Sequence, residues 1–90
     1  MDVKLHTDLD IVNELGLHAR SAAKLAKIAQ NADGNIWVQL GDTIADAKQV
    51  LDLLTLAAGP GDRVRVRIEK ASDIKTLNQI AALITGGFGE

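Results

Sequence analysis

Gly59-Pro60-Gly61-Asp62-Arg63-Val64-Arg65-Val66-Arg67-Ile68-Glu69 decides the architecture of this chain. The Gly-Pro-Gly-Asp opening makes a turn, and behind it valine and isoleucine alternate with arginine over residues 63–69. Strand side chains alternate with a period of two, so Val64, Val66 and Ile68 share one face and Arg63, Arg65 and Arg67 the other. A strand with one apolar and one charged face belongs to an antiparallel sheet covered on one side only.

Working outward, Ser72 is placed to cap a helix whose stripe is Ile74, Leu77, Ile80, Ala81 and Ile84, stopped by Gly86-Gly87. Upstream, Ile36–Leu40 alternates cleanly, and Gly41-Asp42 signals a hairpin into a short strand around residues 43–45. A helix is expected over about residues 47–56, with Asp46 and Gln49 as a capping pair or, equally, a start nearer Gln49. Ala22, Leu25, Ala26, Ala29 and Ala32 form the stripe of a helix from residue 19 to about 32, with Lys24, Lys27, Gln30 and Asn31 towards water. Asp33-Gly34-Asn35 is expected to end it through left-handed dihedrals. A weak strand over residues 9–12 precedes it, with Leu9 and Ile11 on one face and Asp8, Asp10 and Val12 on the other. The order β-α-β-β-α-β-α implies an α+β fold, with three helices on one face of a four-stranded antiparallel sheet.

With no internal repeat, low-complexity run or linker, residues 1–90 are expected to form one domain. A domain of this size buries roughly 60–65% of its unfolded surface. The chain has no cysteine, which excludes disulfides and thiolate chemistry and fits a reducing cytosol. Its first residues lack the regions of a signal peptide. The longest apolar-rich stretch, residues 50–58, contains Asp52 and Thr55 and falls far short of the about 20 residues a membrane span needs. A soluble, cytoplasmic monomer without membrane association is expected. The net charge of −2 offers no long-range attraction to nucleic acid, and Trp37 and Phe88 are too few aromatics for base stacking. No residues stand at metal-ligand spacing, so neither metal nor cofactor is expected.

The chemistry concentrates where the first strand hands over to the first helix, at Leu15-Gly16-Leu17-His18-Ala19-Arg20-Ser21. A histidine at a helix start sits among free backbone N–H groups and the positive end of the helix dipole, which favour an anion. Arg20 adds a guanidinium suited to phosphate oxygens. A neutral imidazole nitrogen is a competent nucleophile near neutral pH, and a positive neighbourhood disfavours the imidazolium form. Gly16 is expected to let a bulky partner approach the ring. A bare His-x-Arg at a helix start carries no chemistry in most proteins.

Gly16-Leu17-His18-Ala19-Arg20 resembles the phosphorylation motif of HPr, the small phosphocarrier of the bacterial phosphoenolpyruvate:sugar phosphotransferase system. The resemblance continues through Asn13, the Ala45-Asp46-Ala47-Lys48 run, residues 53–56 and Gly61-Asp62. It implies the family's open-faced sandwich and a stoichiometric carrier rather than an enzyme. It also implies that His18 takes a phosphoryl group on its δ nitrogen from Enzyme I and donates it to an Enzyme IIA, with Arg20 as electrostatic partner. A nitrogen-related branch, a dihydroxyacetone kinase system or a regulatory binding module of the same fold are the alternatives; the retained histidine favours the carrier.

Two positions depart from the family pattern. Ser21 stands where proline is usual, a change that a first helical turn tolerates and that adds an N–H and a hydroxyl near the phosphate. Gln49 stands where regulated members carry a phosphorylatable serine, so that switch is absent. Ala19, Ser21, Lys24, Lys27, Val50, Leu51 and Leu54 are the expected docking residues, with Asp52 an acidic residue where a cation would suit an acidic partner better. His6 is read as an incidental surface residue ahead of the first strand, Trp37 as a cross-strand packing residue, and the arginine stripe as a solvated sheet face.

Overall fold

The computed structural model describes residues 5–90. The strands are β1 (His6–Asp10), β2 (Ile36–Leu40), β3 (Thr43–Asp46) and β4 (Arg63–Ile68), and the helices are α1 (Ala19–Ala29), α2 (Val50–Leu54) and α3 (Ile74–Thr85). All strand pairs are antiparallel, in the order β1-β4-β2-β3. Val64, Val66 and Ile68 meet Ile36, Val38 and Ala45 on the covered face, in one core with Leu25, Leu53, Leu77, Ile80 and Ile84 from the helices. Fully burying one such aliphatic side chain contributes about 1.5–3 kcal/mol. The fold is the expected open-faced α+β sandwich.

The open face is organised by charge. Register places Asp8 opposite Arg65 and Asp10 opposite Arg63. Arg65 donates to both Asp8 carboxylate oxygens, at 2.8 and 3.2 Å, and Arg63 reaches Asp10 at 2.9 Å. Trp37 packs across the strands opposite Asp46 and Arg67.

Several boundaries differ from expectation. β1 occupies residues 6–10 rather than 9–12, because it zips against the arginine strand from His6↔Arg67 to Asp10↔Arg63. His6 therefore lies within the strand. Ile11 has left the ladder but stays buried, while Val12 is exposed. Helix α1 stops at Ala29, and the chain then tightens: Asn31 N donates to Ile28 O and Ala32 N to Ala29 O.

Gly34 has no positive φ. The turn is held instead by Asp73, whose two carboxylate oxygens accept the N–H groups of Asp33 and Gly34 at 2.9 Å each. Those two bonds hold the buried Asp73 carboxyl below its ordinary range, the Asp33 amide first.

Helix α2 begins at Val50 with Gln49 as N-cap, the later of the two expected starts. Asp46 belongs to β3, and its carboxylate accepts from Lys48 N while its own N–H donates to Asp52. Ser72 is not the cap of α3; it falls in a 3-10 turn, Ala71–Asp73, and Asp73 occupies the N-cap position. In the α3 stripe Leu77, Ile80 and Ile84 are buried, Ala81 is half-buried and Ile74 is exposed. No helix among the described residues is long and apolar enough to cross a membrane.

Candidate functional site

Residues 11–17 carry the chain from β1 to α1 as a loop fastened at both ends. Ile11 N donates to Asp62 O and Ile11 O accepts from Gly61 N, both at 2.8 Å, and Leu17 N donates to Ala58 O at 2.9 Å. Gly16 has φ +63°, and a Cβ there would lie 2.4 Å from Ala58 O. Its role is therefore to let the loop close against the segment after α2. It is buried and opens no path for a partner, which replaces the expected reason for this glycine.

That closure delivers His18 to the N-cap of α1, in extended backbone geometry, with its side chain 28% exposed. His18 N donates to Ser21 Oγ at 2.9 Å, and the Ser21 hydroxyl faces Gly16 O at 3.0 Å and His18 O at 3.1 Å. Ser21 is fully buried. Its hydroxyl thus braces the histidine backbone from inside the fold instead of reaching towards an anion, and Ser21 offers no docking surface. The amides of Ala19 and Arg20 have no intrahelical acceptor and face the helix start, where the dipole is positive. Arg20 is exposed and lines a groove with Asn13, Lys24 and Glu90.

Glu90 is the residue that sequence reasoning missed. Its Oε2 lies 2.6 Å from His18 Nε2, and its Oε1 accepts from Asn13 Nδ2 at 2.8 Å. The second hydrogen of that amide goes to Gly16 O at 2.8 Å. The Asn13 bond, then the His18 bond, hold the Glu90 carboxyl below its ordinary range. The immediate neighbour of the ring is therefore a carboxylate, where a positive neighbourhood was expected. Nothing local in the sequence points to Glu90: 72 positions separate it from His18. Its placement is the work of the 3-10 turn Gly87–Gly89, in which Phe88 is fully buried at φ +59°. Lys24 Nζ clamps this turn by donating to Phe88 O at 2.7 Å. Lys24 is thus half-buried and engaged, not a free cation on a solvated helix face.

Of the other expected docking residues, Ala19 and Lys27 are exposed and Leu51 is 80% exposed, while Val50 and Leu54 are half-buried against the core. Asp52 accepts the Asp46 N–H at 2.6 Å, which gives that acidic residue a structural role. Gln49 is exposed at the N-cap of α2. Val12 and Leu15 are two exposed apolar residues in the loop before His18 that the sequence pattern did not single out.

Known proteins share both the sequence and the shape. A family model described as "PTS HPr component phosphorylation site" matches residues 5–86. The phosphocarrier protein NPr of Shewanella violacea is 38% identical over 87 residues, covering 97% of this chain and 96% of its own. The phosphocarrier protein HPr of Cupriavidus necator is 35% identical over 86 residues, covering 96% and 97%. Among solved structures, HPr-C-His from Thermoanaerobacter tengcongensis superposes with a TM-score of 0.88 at 28% identity, covering 94% of this chain and 96% of that one. An HPr dimer from the same organism superposes at 0.75, also at 28% identity, covering 100% and 99%. The histidine loop, the helix start behind it and the open-faced sheet thus belong together: this chain is a member of the PTS HPr family of phosphocarriers.

Proposed function

We propose that His18 is the phosphoryl acceptor of this phosphocarrier. The observation that carries this reading is an accessible imidazole at the N-cap of α1, inside the segment matched by the family's phosphorylation-site model. The Nδ1 lone pair attacks the phosphorus of a phosphohistidine on Enzyme I. The donor's P–N bond breaks, its electron pair returns to the donor ring, and the phosphoryl group is now on His18. Repetition of the same exchange on an Enzyme IIA empties the carrier. Arg20 and the free amides at the start of α1 stabilise the dianionic group.

Ala19, Lys27, Leu51 and the exposed Val12 and Leu15 form the surface on which both partners dock, bordered by Val50 and Leu54. Gln49 carries no hydroxyl and leaves the protein outside serine-kinase control. The carrier acts as a monomer in the cytoplasm, as a single domain, without metal or cofactor.

Sugar uptake is one destination for the phosphate. The likeness to an NPr, at 38% identity, supports a nitrogen-related branch as the second reading. Incubation with phosphoenolpyruvate and Enzyme I, followed by intact-mass measurement, tests the proposal. One phosphoryl increment is expected, absent from His18→Ala and retained in His6→Ala. An increment that survives His18→Ala contradicts it. Comparing transfer to sugar-specific and nitrogen-related IIA proteins separates the two branches.

A further inference from the structure

We propose that the Glu90 side chain is a positioning residue for His18: its carboxylate holds the imidazole hydrogen on Nε2 and so presents Nδ1 as the nucleophile. This rests on the acceptor reading of His18 given above.

The geometry is specific. Asn13 is buried, at 6% exposure, and both hydrogens of its amide are committed, one to Gly16 O and one to Glu90 Oε1. The carboxylate is thereby fixed to the same loop that sets the histidine backbone, and its second oxygen meets Nε2 at 2.6 Å. The bonds from Asn13 and His18 favour the ionised form of Glu90. An ionised carboxylate offers only lone pairs, so the hydrogen in this contact is the imidazole's. A neutral ring with its hydrogen on Nε2 has its lone pair on Nδ1, the nitrogen turned towards the Ser21 backbone N–H in the capping box at the start of α1. A carboxylate behind a histidine fixes tautomer and orientation in the same way in hydrolase triads and metal sites.

Charge supports the same assignment. When Nδ1 takes the phosphoryl group and Nε2 keeps its hydrogen, the ring becomes a phosphoimidazolium with a positive charge. The donor ring, a phosphoimidazolium before transfer, is left neutral, so no proton enters or leaves. The Nε2–H···Oε2 bond becomes fully charge-assisted at the moment the phosphoryl group arrives. Glu90 and the phosphoryl group lie on opposite edges of the ring, and Arg20 and Lys24 line the same groove as Glu90 to offset its charge.

The test has two arms. Imidazole nitrogen spectra of the unchanged protein, recorded across a pH series, are expected to show in the neutral ring Nε2 as the N–H nitrogen and Nδ1 as the bare one. In Glu90→Ala the two resonances are expected to move towards each other as tautomers mix. The maximal rate of phosphoryl acceptance is expected to fall about 10-fold in Glu90→Ala. The half-saturating donor concentration should stay unchanged, while the melting temperature should fall modestly because the buried Asn13 amide loses an acceptor. Identical spectra and rates in the two proteins would overturn the proposal. So would a faster Glu90→Ala, which would make Glu90 a blocking group. The spectra need no phosphoryl donor, so they decide the role of Glu90 separately from whether His18 is labelled at all.

Discussion

Glu90 Oε2 and His18 Nε2 meet at 2.6 Å although 72 positions of sequence lie between them. The contact depends on two loops that are each held in place from elsewhere: residues 11–17 by Ala58 and Asp62, and Gly87–Gly89 by Lys24. Substitutions in those supports therefore report on the site without touching the imidazole.

Gly16→Ala tests the first support. A non-glycine residue in left-handed backbone costs about 1–2 kcal/mol, and the new Cβ would lie 2.4 Å from Ala58 O, closer than contact allows. We expect a loss of stability of at least that size, measured by denaturant unfolding, together with slower phosphoryl acceptance as His18 shifts. A variant of normal stability would show that the loop does not close on Ala58.

Ser21 tests the brace under the histidine. Ser21→Ala removes the acceptor of the His18 N–H inside a fully buried pocket and should destabilise by about 1 kcal/mol, the usual worth of a capping bond. Ser21→Pro, which first-turn geometry alone would favour, loses the same hydroxyl and should gain nothing. A higher melting temperature for Ser21→Pro would mean that the hydroxyl contributes little.

Arg20 is exposed, and among the described residues it takes part in no ion pair. Arg20→Ala should therefore leave the melting temperature unchanged. It should slow phosphoryl transfer on the order of 100-fold, the scale of losing one preorganised charge donor. Normal transfer with reduced stability would make Arg20 a structural residue.

Ala57 has φ +49° in the segment that follows α2. Ala57→Gly relieves a left-handed alanine and should raise stability by about 0.5–1 kcal/mol, net of the glycine's greater freedom when unfolded. A drop in thermal stability would contradict that assignment of strain.

Asp8, Asp73 and Glu90 all have carboxyl groups held below their ordinary range, first by Arg65, by the Asp33 amide and by the Asn13 amide respectively. A depressed folded-state pKa means the unfolded chain binds protons first. Their stabilisation is therefore complete above the ordinary carboxylate range, near about 4, and is lost as pH falls through and below it. Melting temperature should decline on acidification into that range. Asp73→Asn should flatten the decline, and an unchanged profile would show that Asp73 is not bonded to the Asp33 and Gly34 amides.

The legible parts of this protein are those with periodic side chains. The Arg63–Ile68 alternation, the Ala22-Leu25-Ala26-Ala29 stripe and the Gly41 hairpin each declare their own geometry, and together they gave the sheet, its covered face and the helix order. His18 was legible because helix starts have known chemistry and its neighbours match a family motif. What stayed hidden is non-local. Asp73 satisfies amides 39 and 40 positions away, and Glu90 reaches His18 through a left-handed Phe88 that no periodicity announces. Ser21 was visible as a departure from proline, but the direction of its hydroxyl depends on how Gly16 turns the chain.

The most direct test of the account is a phosphorus–nitrogen correlation spectrum of the uniformly nitrogen-labelled protein after incubation with phosphoenolpyruvate and Enzyme I. The account predicts one phosphorus resonance, coupled to Nδ1 of His18, with Nε2 of the same ring still carrying its hydrogen. Phosphorus coupled to Nε2, or bound to any residue other than His18, would contradict it.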